Sequence, residues 1–555
     1  MFNKSIATLC AILGILPAFS QQIAINQVGF YTNGPKKAIV KTTEPGTFYL
    51  VQLPGGDTVY TGQLHGPLKN SYSPQTTYAA DFSQFKRNGK YQLKTGKLTS
   101  PTIHISAKAH HDAAKAAMKS YYFQRLSMPL TETYAGKWKR PAGHPDTLVY
   151  IHPSVGGGGK ISAPGGWYDA GDYNKYIVNS GITMGTLLSL YEAYPAYCKS
   201  VQLNIPESNN RWPDLLDECA YNLRWMLRMQ DPTDGGVYHK LTNPSFDGFV
   251  MPDKATGPRY VVQKSTAAAL DFAAVTAQAA RVYAPFSRVL ADSCRKAAIK
   301  AWRWALQHPK VFYQQEELNK QFEPKITTGE YGDRSVNDEW IWAAAELYKT
   351  TGDTQYQSYI TNVPVQQWRL PAWAQVQVLA YYTLAQKAAI IAFADGFLSG
   401  SDSTTYQNAM GKKAGNFIWG SNSVAANQGI ALLQAYRLTK DRRHLDGAID
   451  IADYLLGRNA TGYCYLTGFG SKQVMHLHHR PSDADGVAEP VPGFLAGGPN
   501  PGMQDKCPSY TSRVPDEAYT DDQCSYASNE VAINWNAPLV YLLWAIEASA
   551  KQAGL

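Results

Sequence analysis

The 555-residue sequence is poor in cysteine, with seven, and in charge, with 17% Asp, Glu, Lys and Arg. So few cysteines cannot form the dense disulfide framework of a small secreted scaffold. None forms a C-x-x-C pair, so a structural zinc finger is unsupported. No run of about eighteen apolar residues occurs, so no membrane-spanning helix is expected. A formal net charge of +8 comes without a block of five or six basic residues. That describes an evenly solvated basic surface, and no nucleic acid partner is expected. G-x-S-x-G and H-E-x-x-H motifs are absent. Gly156 to Gly159 with Lys160 mimics a phosphate loop, but Ile161 stands where Ser or Thr is required. No short-period repeat emerges, which disfavours a solenoid.

What is present is apolar and aromatic. Hydrophobic residues make up 44%, enough for a large core, and there are 13 Trp and 36 Tyr. Tyr and Trp offer flat apolar faces with a polar edge. Lys4, the apolar run Ile6–Leu16 and the small-x-small site Ala18-Phe19-Ser20 read as an export signal over residues 1–20. Cys10 lies within it. Six cysteines then remain, and Cys507 with Cys524 could pair across a Pro- and Asp-rich loop. Free buried thiols are the alternative reading.

Residues 21–106 carry short apolar stretches (38–40, 48–51, 59–60, 91–93, 103–105) separated by turn signals such as Asn33-Gly34 and Gly55-Gly56-Asp57. This spacing predicts a small immunoglobulin-like β-sandwich. From residue 107 to 555 the period changes. Leu216, Cys219, Ala220, Leu223 and Leu227 share one helix face. Ser265 to Ala284 is Ala-rich on nearly all sides, as in a helix packed between others. Further helices are expected near 110–124, 180–194, 287–307, 337–350, 378–398, 402–416, 426–438, 443–456 and 530–549. About a dozen helices without convincing strands between them predict one large all-α domain. Long polar connections at 140–172, 231–264 and 462–529 interrupt it, and connections of that length are usually functional.

Chemistry-bearing residues gather in those connections. Gly165-Gly166-Trp167-Tyr168-Asp169-Ala170-Gly171-Asp172 sets two carboxylates three residues apart in a flexible turn. If the turn lines a cleft, the pair can hold and deprotonate a water; the plainer alternative is an Asp-rich turn or helix cap. Asn529-Glu530-Val531-Ala532 opens an apolar segment ending in Leu542-Leu543-Trp544. A helix N-terminus would lower the Glu530 pKa, whereas apolar surroundings would raise it as a general acid needs. Gly468 to Arg480 contains His476, His478, His479 and Arg480. It suits either a metal site or a polar sugar-binding edge, but no suitably spaced Cys or acid completes a zinc set.

Taken together, Asp169-Ala170-Gly171-Asp172, the Gly468–Arg480 run and the Asp521–Ala537 segment resemble glycoside hydrolase family nine, the inverting cellulases. The resemblance spans residues 108–555, with the three motifs in the family's order. Residues 21–106 are similar to the immunoglobulin-like domain that precedes one branch of the family. The resemblance implies an (α/α)6 barrel, with Asp172 as the base that activates water and Asp169 helping to hold that water. It implies Glu530 as the acid that protonates the leaving oxygen. His478, Arg480 and His239 match positions that contact sugar, and Asp521 matches a supporting acidic position. Tyr526 and Trp535, with Trp167 beside the Asp motif, are expected to face glucose rings; packing is the alternative for Tyr526 and Trp535. Zinc-binding members carry a Cys and His residues where this chain has Gly143, Asn174 and Lys175, so no zinc is expected. Many members bind calcium, for which Asp333, Asp338 and Glu339 could supply oxygens, or could instead start a helix.

The leading expectation is an exported endo-β-1,4-glucanase, periplasmic or extracellular, that needs no cofactor. Its substrate would be cellulose, mixed-linkage glucan or xyloglucan. An exo-acting cellodextrinase or β-glucosidase is the runner-up, and a non-catalytic glycan-binding protein the third reading. Insertions at 140–164 and 484–517 would favour exo action if they closed one end of the cleft.

Overall fold

The computed structural model describes residues 22–42 and 44–555; the export segment read over residues 1–20 lies outside them. The N-terminal part is all β. Its strands are β1 (Ile23–Ile25), β2 (Lys37–Lys41), β3 (Thr47–Leu53), β4 (Thr58–Leu68), β5 (Thr77–Asp81), β6 (Gly89–Thr95), β7 (Leu98–Thr99) and β8 (Ile103–Ile105). They run in the order β1-β2-β5-β4-β3-β6-β7, with β8 on β6. β4 changes partner along its length, pairing first with β3 and then, from Leu64, with β5. The ladder therefore folds over a single core that includes Ile25, Val40, Phe48, Leu50, Phe82, Leu93 and Ile105.

The sequence pattern marks β2, β3, β6, β8 and part of β4, but not β1, β5 or β7. β5 reads Thr-Tyr-Ala-Ala-Asp and is buried on both faces, so it lacks the alternation of a half-exposed strand. Its outer face explains this. Ala24, Ile39 and Ala79 pack on Tyr406 and Ala460 of the helical domain. Polar ties border that seam: Asn26 Nδ2 to Asp453 Oδ1, Thr77 Oγ1 to the Thr405 carbonyl and Lys41 Nζ to the Ala460 carbonyl, each 2.7 Å.

The remainder is a helical domain. Helix Thr266–Tyr283 is capped by Ser265, whose Oγ accepts from the Ala268 N–H. Its alanines let three helices approach it, Arg288–Gln307, Asn337–Thr351 and Ile177–Ala193. Ser421–Thr439 packs likewise between Arg442–Leu455 and the C-terminal helix Ile533–Ala553. Asp214–Arg228 buries Leu216, Cys219, Ala220 and Leu223 on the expected face.

Four expectations are corrected. The helix expected over 378–398 is two, Gln377–Thr383 and Lys387–Leu398, because Ala385 turns the chain at φ 52°. Residues 402–416, rich in Ser, Thr, Asn and Gly, form short 3₁₀ turns rather than an α-helix. The C-terminal helix begins at Ile533, so Glu530 sits before it in extended backbone. The long connections also hold a sheet of strands too short to show a period: β9 (Val149–Ile151), β10 (Lys160–Ile161), β11 (Lys175–Tyr176), β12 (Lys240–Thr242) and β13 (Tyr260–Val261), ordered β10-β9-β13-β12-β11. This sheet ties 140–172 and 231–264 to the residues just after Asp172.

Cys507 and Cys524 form a disulfide, while Cys198, Cys219, Cys294 and Cys464 are free and buried. No helix among the described residues is long and apolar enough to cross a membrane.

Because β2 and β5 cover apolar surface of the helical domain, a 108–555 fragment is expected to melt several degrees below the full chain; an unchanged Tm in calorimetry would refute that buttressing role.

Candidate active site

Three loops meet at one end of the helical domain. The first turns through Gly165 (φ 79°) and Gly166 (φ 87°). It closes on itself through Asp169 N–H to the Asn174 carbonyl, 3.0 Å. The second carries His478 and Arg480, and the third carries Glu530. Gly171 is where they touch: its carbonyl accepts from Arg480 N (3.1 Å) and Nη1 (2.8 Å), and its N–H donates to Glu530 Oε1 (3.3 Å). A Cβ there would stand 2.0 Å from the His478 carbonyl oxygen, so only glycine lets the backbones approach this closely. Ile533 N–H reaches the Asp169 carbonyl (2.8 Å), and His478 bridges Glu530 in parallel.

Asp172 and Glu530 line one cleft of about 1400 Å³. Asp172 Oδ2 accepts from Asn174 Nδ2 (2.6 Å) and the Tyr176 hydroxyl (3.1 Å). Asp169 lies deeper. Asn179 Nδ2 donates to both its oxygens (2.9 and 3.0 Å) and the Tyr331 hydroxyl to Oδ2 (3.0 Å). Burial, then the Asp172 charge, raises the Asp169 pKa well above the usual carboxylate range. Glu530 is also raised well above its ordinary value, by burial and then by Asp172, with Arg480 opposing. A carboxyl so placed holds its proton more tightly than an exposed glutamate. The apolar surroundings, not a helix dipole, decide the question left open for Glu530. Burial lowers the Lys240 ammonium to about 7, although the Asp172 charge opposes it.

The other expected residues divide into three groups. Trp535 lines the cleft. Tyr526 pairs with Trp419 (centroids 5.4 Å) and stands edge-on to His478 (5.8 Å). His478 Nδ1–H donates to the Gln523 carbonyl (2.7 Å), leaving Nε2 as an acceptor; burial lowers its pKa. Arg480 and Asp521 brace. Arg480 Nε donates to the Asp247 carbonyl (2.8 Å), and its guanidinium lies over Phe246 and Phe249. Asp521 accepts from Met475 N, His476 N and Asn529 Nδ2, joining the His loop to the Glu530 loop.

Trp167 and His239 are corrected as sugar contacts. Trp167 is fully buried, and its indole N–H donates to Glu218 Oε1 (2.8 Å). His239 is buried against Tyr313, with Ser265 Oγ 2.8 Å from Nδ1 and the Glu330 carbonyl 2.9 Å from Nε2. Neither has a face free for a ligand. Sequence reading passed over Tyr331, which holds Asp169, and the cleft-wall residues Trp373 and Trp419. Tyr331 had no signal except its place beside Asp333, and the two tryptophans are isolated in sequence.

Comparison with known proteins extends this picture. The profile for Glycosyl hydrolase family 9 matches residues 110–543, and that for the Cellulase N-terminal ig-like domain matches residues 18–100. This chain belongs to glycosyl hydrolase family 9. It is 44% identical over 553 residues to the Xyloglucan-specific endo-beta-1,4-glucanase BoGH9A of Bacteroides ovatus, covering 95% of this chain and 94% of that one. It is 35% identical over 543 residues to Endoglucanase D of Acetivibrio thermocellus, covering 95% and 83%. A solved Bacteroides ovatus GH9 structure superposes with TM-score 0.90 at 43% identity, covering 95% of this chain and 99% of that one. The family 9 chain is thus a glycoside hydrolase with an N-terminal immunoglobulin-like domain.

Gly171→Ala is expected to lower kcat/KM by about 10²-fold through displacement of the three loops. Gly157→Ala, whose Cβ meets nothing within 4 Å, is expected to leave it unchanged. Equal activity of the two variants would refute the role given to Gly171.

Proposed function

We propose that the chain is an exported endo-β-1,4-glucanase that hydrolyses xyloglucan and related β-1,4-glucans with inversion. The observation that carries endo action is the cleft lining. Neither insertion that could close an end, 140–164 or 484–517, contributes a residue to it. A polymer can therefore lie across the site rather than enter by its tip. Identity to a xyloglucan-specific relative over nearly the whole chain supports the substrate.

In this reading Asp172 is the base. Asn174 and Tyr176 bond one of its oxygens and leave the other to take a proton from water. Asp169 helps to hold that water, and Glu530 protonates the leaving glycosidic oxygen. Inverting enzymes keep base and acid apart so that a water fits on the face opposite the leaving group. Trp535 and Tyr526 offer stacking faces, and His478 Nε2 offers an acceptor for a sugar hydroxyl. Intact Asp169, Asp172 and Glu530 disfavour a non-catalytic binding protein. We further infer that the helices close into an (α/α)6 barrel, which the TM-score of 0.90 to the Bacteroides ovatus GH9 structure supports.

Hydrolysis in this family needs no cofactor. Zinc does not suit the residues here: Lys175, with no lone pair as an ammonium, instead bonds Asp146 at 2.8 Å. The calcium reading has the right donors. Asp333 and Glu339, joined by Asp271, bury oxygens without hydrogen-bond partners. Burial first, and then neighbouring acids including Asp338, raise the pKa of all three. These acids do not gather to within 4.8 Å of one another as a ligand set. No step above passes through a metal.

Glu530→Gln is expected to abolish hydrolysis while leaving cellohexaose affinity within about twofold, since the amide keeps the shape and loses the proton. Full activity would refute the acid assignment. On xyloglucan, carboxymethylcellulose and barley glucan, a fast fall in viscosity with mixed oligomers is expected. Release of one short sugar at constant viscosity would establish the exo alternative.

A further inference from the structure

Beneath the base lies a group of buried charges that the hydrolysis does not use. The Asp146 side chain is fully buried, with Lys175 Nζ at 2.8 Å and Arg259 Nε at 3.1 Å. Lys175 is equally buried. Its remaining donors go to the Ala163 carbonyl (3.1 Å) and the Gly165 carbonyl (2.8 Å). Arg259 Nη2 completes the fork on Asp146 Oδ2 (3.3 Å), and Nη1 donates to the Tyr173 carbonyl and Asn243 Oδ1, both 2.7 Å.

From Arg259 a continuous chain of buried hydrogen bonds runs to the base. Asn243 N–H donates to Asn174 Oδ1 (2.9 Å). With that donor on Oδ1, the Asn174 amide has one orientation, and its Nδ2–H points at Asp172 Oδ2, 2.6 Å away. Burial pushes Lys175 down to about 8, against the pull of Asp146. The Asp146 carboxyl is held below the usual range by Arg259 and Lys175, against its burial.

We propose that Asp146, Lys175 and Arg259 form an ionic clamp that, through Asn243 and Asn174, fixes the aim of the Asp172 carboxylate. These are positioning residues, since none of them reaches the cleft. Two features set the clamp apart from ordinary stabilisation. Apolar residues of similar volume commonly stabilise a core as well as a buried ion group does, so the charges supply geometry more than stability. The clamp also anchors a strained stretch. His144 and Asp146 both have φ 48° without being glycine, a conformation that persists only where its surroundings over-determine it. The clamp therefore joins the 140–164 connection, β11 and the 231–264 connection to the catalytic turn.

The inference rests on Asp172 being the base, and the test separates the two. kcat and KM are measured for Asn174→Ala, Asn243→Ala, Asp146→Asn and Asp172→Ala, on barley glucan and on an aryl β-cellotrioside with a good leaving group. Such a leaving group needs no protonation, so that substrate isolates the water-activating step. Asn174→Ala is expected to lose at least about tenfold in kcat on both substrates, with KM within about twofold. Asn243→Ala is expected to follow to a smaller extent. Asp146→Asn leaves two buried cations with no carboxylate; where it folds, it is expected to lose kcat as Asn174→Ala does, and where it does not, the two Asn variants decide. Unchanged kcat in Asn174→Ala beside an inactive Asp172→Ala overturns the clamp. So does a loss confined to KM or Tm. An active Asp172→Ala overturns the base assignment itself.

Discussion

Three carboxyl groups from two distant parts of the chain share one poorly solvated end of the helical domain, and like charges so placed cannot all ionise freely. Burial first, and then the charge of Asp172, raises Glu530 and the deeper Asp169. Asp172 takes hydrogen bonds from Asn174 and Tyr176 and interacts with the buried Lys240 side chain. Glu530 is disposed to hold a proton, through burial and a neighbouring charge rather than through its residue type.

Holding carboxylates together against their repulsion needs rigid walls, and the long connections provide them. None is loose. The five-stranded sheet stitches two of them to the residues following Asp172, Asp521 pins the His loop to the Glu530 loop, and Gly171 lets the three backbones close to hydrogen-bond distance. The β-domain adds support of its own. Its β2 and β5 cover apolar surface around Tyr406 and Ala460 that would otherwise face water.

Much of this was legible in the sequence, for definite reasons. Helix faces such as Leu216–Leu223 show their period because one side is buried and the other is not. The Asp169–Asp172 motif stands out because two carboxylates three apart lie among glycines and aromatics, and Glu530 because it opens an apolar segment. β5 escaped because both its faces are covered, and β9–β13 because two or three residues cannot display alternation. Trp167 beside the Asp motif and His239 at a matching family position share a difficulty: an aromatic or imidazole has the same sequence signature whether it faces a ligand or packs behind a turn. Only partners such as Glu218 and Ser265, 51 and 26 residues away, tell the two apart.

The Cys507–Cys524 disulfide closes the loop that delivers Asp521 and, two residues past Cys524, Tyr526. That loop is thus fastened by a bond that forms only where thiols can be oxidised. In a reducing environment the segment carrying Asp521 would lack its covalent tie.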